Sequence, residues 1–205
     1  MSRRTQAQRR ADTQHRLLTA TVGCLSELGY AKTSVKAVCT QAGVSQGALF
    51  NYFPTRLDLI VAATEHICEV QRMRFADGDL QLDLEMLIHR IRALARSAEH
   101  AAWHEVMVAA RSDHALRLRV RPSLSRFEAA LLETAGHSFG LDVAKPDVAA
   151  MVLSVLHIFD SEAVTVAVLE NPKIEAARVR WLTGLLGRAG QSAANEQRVS
   201  RAEQF

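Results

Sequence analysis

A chain of 205 residues, 48% hydrophobic and 23% charged, is long enough to bury a real core, as one large domain or a small one joined to a medium one, and its profile excludes a disordered or fibrous protein. The net charge of +3 hides an asymmetry: the first sixty residues carry eight basic residues (Arg3, Arg4, Arg9, Arg10, Arg16, Lys32, Lys36, Arg56) against three acidic ones (Asp12, Glu27, Asp58), whereas the rest carries 17 basic and 19 acidic, as a small polyanion-binding head on a non-binding body would. Cys24, Cys39 and Cys68 show no close pairing, the polar start MSRRTQAQRRADTQHR has no apolar core of signal-peptide type, and no uninterrupted apolar run reaches membrane-spanning length, so a reducing cytoplasm is expected and a membrane is not.

Helical spacing recurs throughout while alternation of apolar and polar residues is nearly absent, so the chain reads as all-α. Leu17, Thr21, Cys24, Leu25 and Leu28 share one face of a first helix that Gly29 ends. Thr33 can cap a short second helix carrying Val35, Val38 and Ala42 inward, and Gly43 stops it. Ser45 then caps a helix of under three turns, SQGALFNY, with Leu49 and Tyr52 or Phe53 turned to the core, and Pro54 closes it. Thr55 and Asp58 form a capping box for a long fourth helix with Leu57, Ile60, Val61, Thr64, Ile67 and Cys68 on one stripe, broken at residues 76–79.

Further amphipathic helices follow, through Leu84, Leu87, Ile88, Ile91 and Leu94, then Trp103, Val106, Met107 and Ala110, then Leu124, Phe127, Leu131 and Ala135. Asp113 is a candidate cap for the third, and Pro122 is expected to kink or divide it. Pro146 and Pro172 sit at the first turns of two last helices, roughly 147–170 and 173–189, the second capped by Asn171. The helix after Pro146 is apolar on almost every side for three turns, including Met151, Val152, Leu153, Val155, Leu156, Ile158 and Phe159, more than one monomer's core would cover. After Gly190 periodicity stops, and 191–205 reads as a flexible tail.

Residues 33–56 carry the functional signal. Two short helices joined at Ala42-Gly43-Val44 have helix-turn-helix spacing, in which the second helix enters the major groove. Gly47, inside that second helix, costs about 1 kcal/mol relative to alanine, which a close approach to phosphate or to a neighbouring helix would offset. Outward residues Ser45, Gln46, Ala48 and Asn51 suit base edges: amides pair with adenine, a hydroxyl with either partner, and the alanine methyl touches thymine. Thr33, Ser34, Lys36, Tyr52 and Arg56 are placed to hold phosphates, and a basic arm with Arg3, Arg4, Arg9 and Arg10 would lie along phosphates or in a minor groove.

The run RLLTATVGCLSELGYAKTSVKAVCTQAGVSQGALFNYFPTRLDL, Arg16 to Leu59, resembles the N-terminal domain of TetR/AcrR-family transcriptional regulators. It shares their Gly-Tyr, Thr-Ser-Val, Ala-Gly-Val-Ser, Gly and Tyr-Phe at fixed spacing without a gap. It departs from them at Arg56, where lysine is usual, Phe50, where tyrosine is common, and Cys39, where alanine is usual; Cys39 reads as buried filler. The resemblance implies phosphate contacts from Thr33, Ser34 and Tyr52, a helix-turn-helix domain at 1–54, and an effector-binding and dimerisation domain at 55–190. It also implies repression relieved by a small-molecule effector, on a palindromic operator read by a homodimer.

Met86, Trp103, His104, Met107, Phe127, His157, Phe159 and Asp160 are candidate pocket residues, and Met151, Val155, Phe159, Leu182, Leu185 and Leu186 candidate dimer contacts. His100 and His104, at i and i+4, lack a visible third ligand, so no metal is expected. No cofactor motif, GxSxG or phosphate-cradling loop occurs, which argues against an enzyme. The competing reading is a DNA-bound adaptor whose helical domain engages a protein instead of a small molecule.

Overall fold

In the computed structural model, which describes the backbone of residues 5–76 and 83–202 and the side chains of 5–74 and 83–188, the described residues form nine helices and no strand: α1 (Gln6–Leu28), α2 (Val35–Ala42), α3 (Gln46–Phe50), α4 (Arg56–Ala76), α5 (Leu84–Ala95), α6 (Ala98–Ser112), α7 (His114–Phe139), α8 (Pro146–Val166) and α9 (Pro172–Ala202). The caps follow local chemistry. Asp83, Ser97 and Asp113 accept hydrogen bonds from backbone N–H groups in the first turns of α5, α6 and α7, and Asn171 does so for α9. Thr55 and Asp58 make the expected reciprocal box before α4.

The chain packs as two units, Met1–Phe75 with Ser97–Ala130, and Ala76–Arg96 with Leu131–Phe205. This cut differs from the 1–54 and 55–190 division read from the sequence. α4, α6 and the first part of α7 share their core with α1, because the inward faces of all four interlock through Val22, Leu25, Ile60, Ile67, Val106, Leu116 and Val120. A neighbouring cluster in the same unit joins α1, α2 and α3 through Leu17, Cys24, Val38, Ala42 and Leu49, with Phe53 and Leu59.

In the second unit, α5 packs on α8 and α9, and an ionic network ties the three together. Glu162 on α8, 2% exposed at its side chain, accepts from Arg92 and Arg96 at 2.5 and 2.8 Å and pairs with Arg178; Glu175 accepts from Arg92 and Arg96 at 2.6 and 2.8 Å. Burial works against the Glu162 carboxylate, but hydrogen bonds from Arg92 and Arg178 outweigh it and hold its pKa below the ordinary value.

Several expectations are corrected here. Leu28 is 45% exposed, and Ala20 and Val22 take its place inside. Pro122 does not divide α7, which runs through it with the proline exposed. The last helix does not stop at 189; α9 continues to Ala202, so the tail expected from 191 is helical that far, and 203–205 lie outside the described residues.

Candidate nucleic-acid interface

The turn between α2 and α3 is built on Gly43, whose φ of 65° is left-handed and whose N–H closes α2 on Cys39 and Thr40 carbonyls. Ser45 caps α3 by accepting from the Ala48 N–H at 3.2 Å. Helix α3 is shorter than its sequence pattern suggested, five residues, and Leu49 is its single buried anchor. Ser45, Gln46, Gly47 and Asn51 are exposed and Ala48 and Tyr52 half-buried. The structure therefore groups six of the expected DNA-facing residues on or beside one short helix.

At the start of α2 the roles exchange. Ser34, not Thr33, is the cap, accepting from the Ala37 N–H at 3.1 Å. Thr33 is 1% exposed and its hydroxyl donates to the Gly29 carbonyl at 2.8 Å, so its side chain is removed from any phosphate. A β-branched hydroxyl can satisfy a buried carbonyl while its methyl packs, which the Thr33-Ser34 pair does not reveal. Lys36 is exposed on α2.

Arg56 is also redirected. Its guanidinium donates to the Thr33 carbonyl at 2.7 Å and the Tyr30 carbonyl at 2.5 Å and lies 4.5 Å over the Tyr30 ring, stapling the α1–α2 loop to the start of α4. Arg9 and Arg10 belong to α1, which begins with a capping box between Thr5 and Gln8, so they sit on a helix and not on an extended arm; Arg3 and Arg4 lie outside the described residues. Arg10 stacks over Tyr52, 5.1 Å from its ring centroid.

Sequence reasoning missed three positioning contacts, each between residues far apart in the chain. Arg16 on α1 donates to the carbonyls of Ala42 and Gly43, at 3.3 Å for the latter, and so grips the turn itself. The Cys24 thiol donates to the Gln41 side chain at 2.8 Å. That amide lies where a Cβ on Gly23 would fall, at 2.4 Å, which explains a glycine inside α1. Glu105 on α6 accepts from the Tyr30 N–H at 2.9 Å, beside Gly29 with its φ of 79°. Burial raises the pKa of all three thiols, that of Cys68 to about 11, so Cys39 is core filler and not a reactive thiolate.

The other candidates are scattered. Trp103, His104, Met107 and Phe127 belong to the first unit, where Trp103 and Met107 pack on its core; Met86, His157, Phe159 and Asp160 belong to the second, with Met86 exposed and Phe159 1% exposed. Among the eight, His157 alone lines the open groove of about 720 Å³ between α8 and α9. His100 stacks on Trp103 and contacts the Gln71 amide. Of the expected dimer contacts, Val155, Phe159 and Leu182 are buried within the unit, Met151 and Leu186 are half-buried, and Leu185 is exposed.

The family model for bacterial regulatory proteins of the tetR family matches residues 17–63. An uncharacterized HTH-type transcriptional regulator of Mycobacterium tuberculosis (strain ATCC 25618 / H37Rv) is 31% identical over 189 residues, 89% of this chain and 97% of its own. The HTH-type transcriptional repressor KstR of Mycolicibacterium smegmatis is 37% identical over 99 residues, 45% of this chain and 48% of its own. The crystal structure of a transcriptional regulator from Rhodococcus sp. Rha1 shares the fold, with a TM-score of 0.68 at 20% identity over 86% of this chain and 96% of that one.

Proposed function

The chain belongs to the TetR family of bacterial regulatory proteins, is a transcriptional regulator, and on that premise we propose that it is a dimeric repressor released from a palindromic operator by a small-molecule effector. The observation that carries the reading is the α2–Gly43–α3 turn, with Gln46 exposed and Ala48 half-buried on a helix whose one buried anchor is Leu49, and Asn51 exposed at its C-cap. Such a helix has nothing inside the protein to bind with its outer face, and its amides and methyl match adenine and thymine edges. Ser34 and Lys36 supply phosphate contacts around it, and the relative KstR is named a repressor.

Dimerisation is read from exposed apolar surface. Ile174, Trp181 and Leu185, exposed on α9, recur at seven and four residues and form one stripe; Val164 on α8 and Val168 and Leu169 just beyond it are exposed as well. Among the described residues, α8 is also the one helix long and apolar enough to cross a membrane, with 17% of its window buried. A second copy would cover that surface in a cytoplasmic protein. Two recognition helices roughly 34–36 Å apart would then read half-sites about one turn apart. The effector, bound in the helical region, would favour a state with lower operator affinity.

The test is genomic: purified protein incubated with sheared DNA from its own genome, followed by sequencing of the retained fragments. An enriched inverted repeat is expected, and small molecules added to the same assay should include one that depletes it. Retention without any shared motif would sink the operator reading.

A further inference from the structure

Arg10 is on α1 and Tyr52 directly follows α3, so a contact between them joins the basic first turns of the chain to the end of the recognition helix. From Gln6 to Arg16 every residue of α1 is exposed except Thr13, so this stretch has no core to serve. Among the described residues Arg10 makes no ion pair or side-chain hydrogen bond, and its guanidinium lies 5.1 Å from the centroid of the Tyr52 ring. A ring face attracts a guanidinium without consuming its N–H groups, unlike a carboxylate. The stack thus orients a full positive charge beside α3 and leaves its planar fork of donors available, and an anion with two oxygens to offer is the complement of that fork.

We propose that Arg10 and Tyr52 act as one unit that grips a single DNA phosphate at the edge of the site read by α3, the ring holding the guanidinium and the guanidinium holding the phosphate. The proposal rests on the DNA-binding reading above. It assigns Tyr52 a positioning role through its π face, and Arg10 a contact made from a helix.

The unit is sequence-independent, so it is tested on a fluorescein-labelled random-sequence duplex, where binding is read against salt concentration for wild type, Arg10→Gln, Arg10→Lys, Tyr52→Phe, Tyr52→Leu and the Arg10→Gln/Tyr52→Leu pair. Removing the charge in Arg10→Gln is expected to lower the magnitude of the log–log salt slope by about 0.9 for each protomer engaged. Arg10→Lys keeps that slope but binds about two- to five-fold more weakly, because an ammonium has neither the fork nor the flat face. Tyr52→Phe stays closest to wild type; Tyr52→Leu weakens binding, and Arg10→Gln then costs less than it does alone.

An unchanged slope in Arg10→Gln, or additive losses in the double variant, overturns the unit. Thermal unfolding of each variant identifies any that lose the fold; if Tyr52→Leu does, a Tyr52→Phe that binds several-fold more weakly than wild type, or an Arg10→Lys that binds as tightly as wild type, overturns the unit in its place. If the wild type itself fails to bind duplex DNA at low salt, the DNA-binding reading falls, and that result is distinct from a wild type that binds with a slope Arg10 does not affect.

Discussion

The head of this protein is held in shape by arginines that face inward to backbone carbonyls. Arg56 illustrates the point: two carbonyls and a ring engage it, and hydrogen bonds to a charged donor contribute about 1.5–3 kcal/mol each. Arg56→Lys retains the charge but cannot span Thr33 and Tyr30 at once, so urea unfolding should show a loss of about 1–3 kcal/mol, while the salt slope of DNA binding stays at the wild-type value. A slope reduced by about one unit would instead put Arg56 on a phosphate. This role was not legible beforehand, since a basic residue at a helix start satisfies a phosphate and a loop carbonyl equally well by type alone. His66 behaves similarly: it meets the His15 ring edge-on at 5.5 Å, and burial, reinforced by His15 and opposed by Glu99, lowers its pKa below 6.5. A histidine with a depressed folded-state pKa binds protons more readily when unfolded, so its stabilising effect is present above 6.5 and is lost as pH falls below it. Denaturation midpoints should therefore drop between about pH 7 and about pH 5 in the wild type, and drop less in His66→Gln.

Short helices depend on their neighbours, and α3 is an extreme case with one buried residue and a glycine as the second of its five residues. A Cβ at Gly47 would meet nothing within 4 Å, so no neighbouring helix accounts for the glycine, and of the two explanations the sequence offered only close approach by a ligand is left. Gly47→Ala should then raise the stability of the DNA-free protein by about 0.5–1 kcal/mol in thermal unfolding and weaken operator binding at the same time. A variant that is both more stable and equally tight on DNA would remove the idea that a phosphate passes over this position. The elements themselves were largely readable, because α2, α3 and α4 announce themselves through local caps at Ser45, Thr55 and the two glycines at 29 and 43. What joins them was not: Arg16 reaches carbonyls 26 and 27 residues away and Glu105 an N–H 75 residues away, and a single sequence has no periodicity at that range.

At the scale of the molecule, the excess of apolar surface on the last helices was legible and its orientation was not. Counting apolar residues on α8 signals that one core cannot cover them all, but which of them turn inward depends on where α5 and the Glu162 network hold that helix. Val155, Phe159 and Leu182 proved to be core, so their replacement would unfold the second unit and say nothing about assembly. Trp181 and Leu185 are 56% and 40% exposed, and Trp181→Glu with Leu185→Glu places charge on a surface that folding alone does not bury. If a second copy covers that stripe, burying roughly 1,200 Å² or more in a stable pair, the double variant should sediment as a folded monomer at concentrations where the wild type is a dimer. Its DNA binding should change in a linked way. Losing the second head removes the effective-concentration advantage, so affinity for an inverted repeat should fall about 100-fold or more, and the salt slope should halve because half the phosphate contacts are gone. Affinity for an isolated half-site should be preserved, since α3 and its supports lie in the first unit. A double variant that remains dimeric would move the interface elsewhere on the molecule, whereas a monomer with undiminished affinity for the full repeat would mean that two heads are not needed to read it.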